Sequence, residues 1–256
     1  MPTTTRASVT MMMNLIQFPY SHFCEKARWA LDYKGQSYAR ENLLPGLHLL
    51  RTKRLAPRGT VPILQHDQQV IQGSDAIIDY LDAHWPQHPL TPQDPDLARQ
   101  ADEWEQYAAR EIGVPLRRWF YSQALGDRRR ALMFLQVDAT PLQRAVLQTA
   151  YPLLRLLMKK GMNINPATGE ASRLRLEAAL DRLDASLAGR AFLVGDQFSR
   201  ADLTVCALLA PLVAIGKSEA ELADALTPVL LAWRQTQSVR PCFDWVRGIY
   251  RDYRRK

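Results

Sequence analysis

Ser21 and Cys24 are the residues of this chain most able to do chemistry together. A hydroxyl and a thiol stand three residues apart in Phe18-Pro19-Tyr20-Ser21-His22-Phe23-Cys24-Glu25-Lys26, between an apolar run over 11–18 and a helical pattern that ends at Gly35. A strand that feeds a helix start through a short polar turn presents unpaired backbone N–H groups and the positive end of a helix dipole. That arrangement stabilises an anion, and we read the turn as a holder for a thiolate. Plainer roles stand beside this one. Ser21 is well typed for an N-cap, Cys24 for a small buried hydrophobe and His22 for a solvated first-turn residue, and Tyr20 offers a phenol in place of the Ser21 hydroxyl. A second helix start, Gly73-Ser74-Asp75, repeats the theme, with Ser74 as N-cap and Asp75 complementing the dipole, and it too suits an anion.

The elements that must position these residues follow from periodicity and punctuation. Residues 10–18 read as a buried strand. Residues 22–34 read as a helix, with Phe23, Ala27, Ala30 and Leu31 on one face. A strand over 37–43, a short helix over 48–55, a hairpin-like pair over 61–66 and 69–72, and a helix over 75–84 complete a β-α-β-α-β-β-α order. The Val61-Pro62 bond is of the kind that can be held cis. Four prolines within 85–95 mark a linker, so we place a first domain at 11–85, the linker at 86–95 and a helical domain at 96–256. In that second part a helix over 96–112 should break or kink at Pro115. Residues 116–125 continue helical, 126–130 form a basic turn, and Thr140-Pro141 opens a helix kinked at Pro152. A helix over 171–188 precedes Ser199 and Asp202. Those two form a capping box, with Phe198 and Leu203 as its hydrophobic staple, and the apolar helix they open, 200–214, is expected at the centre of the domain. Two more helices fit 227–237 and 240–253.

Composition narrows the class. The chain has 256 residues, 47% hydrophobic and 23% charged, enough to bury a sizeable core. No apolar run reaches the roughly 18 residues of a membrane span. Residues 1–10 read as a loose, disordered tail. The apolar run over 11–16 is too short for a secretory signal, and a cytoplasmic location is expected. The three cysteines, Cys24, Cys206 and Cys242, are odd in number and widely spaced, which argues against a disulfide framework or a zinc site. The net charge of +7 is concentrated in Arg128-Arg129-Arg130 and in 251–256. Such clusters can meet nucleic acid or anionic lipid. No nucleic-acid motif accompanies them, so we read a solvated loop and tail, with neither nucleic acid nor membrane as partner.

Taken together, the Ser21 turn, Thr60-Val61-Pro62, the Ser74 helix start, the proline linker and the Ser199–Asp202 box after Leu193-Val194-Gly195-Asp196 resemble the soluble glutathione transferases of bacterial type, over about residues 10–250. The resemblance implies an α/β thioredoxin-like N-terminal domain followed by an all-α helical bundle, a homodimer, and glutathione as co-substrate with no metal. It implies a detoxifying transferase acting on a small hydrophobic electrophile. A thiol-disulfide reductase using Cys24, or a non-catalytic binding module of this fold, are the alternatives. By the same resemblance, Val61 before Pro62 pairs its backbone with the cysteinyl part of glutathione, and Gly73 and Ser74 hold the γ-glutamyl carboxylate. Lys53, chosen among Arg51, Lys53, Arg54 and Arg58, reaches the glycyl carboxylate. Ser21 takes the first, catalytic position of the glutaredoxin-like Cys-Pro-x-Cys pattern, and Cys24 the second. Trp104, Tyr107 and Trp119 are candidates for the apolar substrate wall, or for packing. Two departures stand out. His22 replaces the usual proline, and Gly73 replaces an acidic residue or Gln that partners the glutathione ammonium, a role Asp102 could fill. For the buried capping box, Asp202→Ala is expected to cost about 1–2 kcal/mol.

Overall fold

The computed structural model describes residues 13–213, 215 and 218–254. The expected tail at 1–10 lies outside the described residues. The chain folds first around a small mixed sheet. β1 (Met13–Gln17), α1 (His22–Tyr33) and β2 (Tyr38–Asn42) form a parallel unit, α2 (His48–Leu55) follows, then the antiparallel strands β3 (Ile63–His66) and β4 (Gln69–Gln72), and α3 (Ser74–His84). The strand order is β2-β1-β3-β4. Central β1 is buried almost throughout, its polar Gln17 held by Asn42 and Arg28, whereas edge strand β2 is polar and half exposed. Leu15 and Leu64 face each other across β1 and β3 and pack with Ala27, Leu31, Ile77 and Leu81 from α1 and α3.

Everything after the linker is helical. α4 (Pro95–Ala108) runs into a π-helical turn (Ala109–Gly113) and on into α5 (Val114–Ala124). Pro115 therefore does not break the chain's course as expected. The wide turn gives the Val114 N–H to the Ala109 carbonyl, and Pro115 falls in the first turn of α5, where a missing N–H costs nothing. The expected basic turn at 126–130 is instead the start of α6 (Arg128–Leu135). Asp127 caps it, accepting from the Arg130 N–H at 3.1 Å, a signal present in the sequence but outweighed there by three adjacent arginines. α7 (Pro141–Gly161) opens on a Thr140–Gln143 capping box and continues past Pro152. α8 (Pro166–Leu187) precedes α9 (Arg200–Leu209), every residue of which is buried. α9 is shorter than its apolar pattern, because Pro211 cannot donate and the chain tightens into a 3₁₀ turn over Ala210–Leu212. α10 (Glu219–Ala225) was not foreseen, although Ser218 and Glu221 form a capping box. α11 (Pro228–Gln237) and α12 (Pro241–Tyr253) complete the order.

A buried ionic network joins the helical part to the sheet. Glu105 of α4 lies between Lys26 of α1 and Arg200 of α9, with Arg200 Nε at 2.6 Å. Arg200 reaches on to Asp79 of α3 at 2.6 Å and to the Thr91 hydroxyl at 3.1 Å. Burial lowers the Lys26 pKa while Glu105 holds its charge in place. α12 closes the other side of α1, where Trp29 donates to the Tyr253 carbonyl and Arg254 pairs with Asp32.

Candidate active site

Register decides which segments meet. Ile16 of β1 pairs with Ile63 of β3, and Ile63 pairs with Gln72 of β4. The residues just past β1, just before β3 and just past β4 therefore share one end of the sheet. They are the Ser21 turn, Val61-Pro62 and Gly73-Ser74. The Val61-Pro62 bond is cis, and the Pro62 carbonyl accepts from the Gly73 N–H at 3.1 Å.

Ser21 caps α1. Its Oγ accepts from the Cys24 N–H at a long 3.4 Å, and its own N–H donates to the Phe18 carbonyl at 3.1 Å. The turn is clamped from behind by Arg28, which donates to Gln17, to the Pro19 carbonyl at 3.2 Å and to Glu25 at 2.9 Å. Arg28 escaped sequence reasoning because its partners are fixed only when the strand and helix pack. Cys24 is 0% exposed, and burial pushes its thiol up despite the lowering effects of the Phe18 backbone, Ser21 and Arg28. That is a packed side chain's environment, not a thiolate's. Burial also raises the Tyr20 phenol well above its usual range; its ring stacks on Phe18 with centroids 5.5 Å apart.

His22 is buried, not solvated. Burial, aided by Arg117 of α5, lowers its pKa to about 3, and its Nε2 has no hydrogen-bond partner among the described residues. The cover comes from the helical part. Phe23 lies edge-on to His22, and a Cβ on Gly113 in the π turn would come within 2.7 Å of the Phe23 ring. Glycine there allows the turn to seat on α1.

At the second helix start the expectation shifts by one residue. Gly73, not Ser74, is the cap of α3, and among the described residues no side chain bonds to the helix's first N–H groups. Gly73 has φ +111° and ψ 144°, a region essentially reserved for glycine. Here the backbone itself demands glycine, in place of the longer side chain that the family resemblance implies. The Asp75 carboxylate folds back to within 2.5 Å of where a Cβ at position 73 would stand, and the Arg58 guanidinium lies beside it, donating to the Gln72 carbonyl at 3.1 Å. Arg58 is the basic residue placed at this helix start. Lys53 is exposed on α2 and has no ion pair among the described residues, whereas Arg51 is held by Glu41 at 2.8 Å.

The aromatic candidates lie elsewhere. Trp119 is 1% exposed and meets Trp233 edge-on at 4.5 Å, inside the helical core; it packs, and it presents no wall. Trp104 and Tyr107 are covered by Arg182 of α8, 5.1 and 4.0 Å from their rings. Asp102 accepts from Gln106 along its own helix at 2.7 Å.

Comparison with known proteins accords with this geometry. Residues 15–89 match the model of the glutathione S-transferase N-terminal domain, and residues 165–241 that of the C-terminal domain. The chain is 41% identical to glutathione S-transferase 1 of Dianthus caryophyllus over 91 residues, 34% of this chain and 41% of that enzyme. It is 28% identical to glutathione S-transferase U1 of Arabidopsis thaliana over 135 residues, 50% of this chain and 60% of that one. The matches thus span about half the length of these relatives. Among solved structures, the β-etherase LigF of Sphingobium sp. strain SYK-6 shares the fold, with a TM-score of 0.59 and 22% identity over 93% of this chain and 99% of that one. With both domains of the family in their order on the fold these elements build, the chain belongs to the glutathione S-transferase family.

Proposed function

We propose that this chain is a glutathione transferase in which Ser21 activates the thiol of glutathione for attack on a small hydrophobic electrophile. The observation that carries this reading is the convergence of the Ser21 turn, cis Val61-Pro62 and the uncapped start of α3 at one end of the sheet. A glutathione thiol ordinarily titrates near ~8.5. The Ser21 Oγ already accepts from the Cys24 N–H, so its own proton is available to donate to sulfur, and the helix dipole adds to the stabilisation of the thiolate. The Val61 backbone pairs with the cysteinyl unit, and Ser74 with the first N–H groups of α3 takes the γ-glutamyl carboxylate. Asp75 replaces the side chain missing at Gly73 as partner of the ammonium. Lys53 remains within this proposal as the partner of the glycyl carboxylate. The sulfur lone pair forms the new C–S bond as the electrophile's leaving group departs with its electron pair. A Cys24 reductase is not favoured, since a fully buried thiol cannot meet a disulfide. By family likeness we also propose a cytoplasmic homodimer.

The test is Ser21→Ala assayed with glutathione and a nitroaryl chloride. kcat/KM is expected to fall about 10²-fold, as for loss of one donor to a developing or bound anion. Stabilisation by glutathione, about 1.4 kcal/mol at ten times its Kd, should persist in the variant. An unchanged kcat/KM removes Ser21 from the mechanism; the absence of any thermal shift in the parent chain removes glutathione.

A further inference from the structure

The α6–α7 excursion presents two faces, and the glutathione site accounts for only one. On one side of α7, Leu147, Tyr151 and Leu154 pack on Tyr121 and Leu125 of the adjoining helix, in a cluster that also touches Tyr20 and Leu44 beside the Ser21 turn. On the other, Leu142, Leu153 and Leu156 are 75%, 60% and 63% exposed, and Val146 and Leu157 are exposed with them. Positions 142, 146, 149, 153, 156 and 157 follow helical spacing, so this is one continuous stripe. From Leu142 to Leu157 it is about 24 Å long.

The charge beside the stripe has a single sign. From 128 to 161 the chain carries seven basic residues against the lone Asp138, a net +6 of the whole chain's +7. Arg130 pairs with Asp127 and Arg129 with Asp224. Arg144, Arg155, Lys159 and Lys160, all on α7, have no ion pair among the described residues, and α7 itself holds no acidic residue. On the helical wheel Arg155 and Lys159 fall on one side, between the apolar stripe and the buried face, while Arg144 lies opposite the stripe and donates to the Ala139 carbonyl at 3.1 Å. Lys160 lies at the C-terminal end of the stripe, where a long side chain can reach back to water.

A second copy of this chain is a poor occupant, because a two-fold pairing through α7 sets these cations against one another. An apolar stripe with a purely cationic flank complements a surface that is apolar inside and anionic at its rim. We infer that α7 is an interfacial anchor that lies in the plane of an anionic lipid bilayer. Leu142, Leu153 and Leu156 enter the acyl boundary, and Arg155, Lys159 and Lys160 meet the phosphate headgroups. This proposal departs from the sequence-based expectation of no membrane partner. That expectation weighed Arg128–Arg130 and residues 251–256 without the leucine face.

Co-sedimentation of the full chain with vesicles tests the inference. Mixed phosphatidylglycerol–phosphatidylcholine vesicles should bind at least tenfold more tightly than phosphatidylcholine alone. Affinity should fall at least tenfold as salt shortens the screening length from about 10 Å at 0.1 M to about 3 Å at 1 M. The pair Leu153→Asp and Leu156→Asp, on exposed positions and with an unchanged melting curve as control, should lose vesicle binding at least tenfold, and so should Arg155→Glu with Lys159→Glu. Failure of the chain to sediment with mixed vesicles overturns the inference, as does binding indifferent to the leucine pair. A lipid-free dimer that Leu153→Asp dissociates, with no vesicle binding, also overturns it and assigns the face to a second copy.

Discussion

The starts of α3 and α9 are built from the same kind of sequence and end in opposite states. Each has a serine followed by an aspartate in the first turn. At α9 the box closes. Asp202 accepts from the Leu193 N–H at 2.8 Å, the Ser199 N–H at 2.9 Å and the Ser199 hydroxyl at 3.0 Å, while Ser199 accepts from the Ala201 N–H, all in a buried setting. At α3 the serine is one residue too late to cap, glycine holds the cap position, and the first N–H groups have no side-chain acceptor among the described residues. A buried helix end must satisfy its own donors, whereas one at a site can leave them for a ligand. The α1 start stands between the two, with a weak serine cap and the chemistry proposed for Ser21.

The sharpest way to break this contrast is Asp202→Ala. Loss of all three bonds leaves two buried backbone N–H groups unpaired, at about 1–3 kcal/mol each. The loss in urea stability should therefore be about 2–6 kcal/mol, above the sequence-level expectation, with the glutathione-induced shift intact. A midpoint equal to the parent's sinks the structural reading of α9. Next comes Gly73→Ala. Forcing a Cβ into φ +111° should cost about 1–3 kcal/mol of strain and displace Asp75. Unlike Asp202→Ala, it should weaken glutathione binding more than it lowers stability, as titration calorimetry against urea unfolding would reveal. If both fall alike, α3 is no more a site than α9.

The smallest effect belongs to His22. Its folded pKa of about 3 lies below the unfolded value near ~6.5. In the window between them the unfolded chain binds a proton that the folded chain refuses, so stability present above about pH 6.5 is lost as pH falls. The slope from this group approaches 1.4 kcal/mol per pH unit. His22→Gln should remove that slope between pH 5 and 6.5 in thermal melts (~one proton's worth of linkage); an unchanged slope shows that His22 titrates freely.

Much of the fold was legible because its signals are local. A cap at Thr140, a box at Ser199, the β-α-β-α-β-β-α order and the turn at Val61-Pro62 depend on residues within a few positions of each other, and each appears in the structure. Asp127 and Ser218 were equally local signals, and that of Asp127 was outweighed by the three arginines after it. The candidate site was half legible: its three segments were named from sequence, but how each would be surrounded was not.

Burial and partnership came from tertiary structure, because they depend on chain far away. Cys24 and Ser21 are neighbours in one helical turn, yet packing left one partly accessible and sealed the other. His22 owes its lowered pKa first to burial and then to the charge of Arg117, 95 positions on. Trp119 and Trp233 looked like separate aromatics until the helices brought them edge to edge. The sequence by itself determined where strands and helices begin and which side chains can carry chemistry, since backbone donors and periodic apolar faces are written in nearest neighbours. Only the tertiary structure decided which of those side chains reach a ligand. The dielectric and the space around a group are set by whatever the fold lays over it.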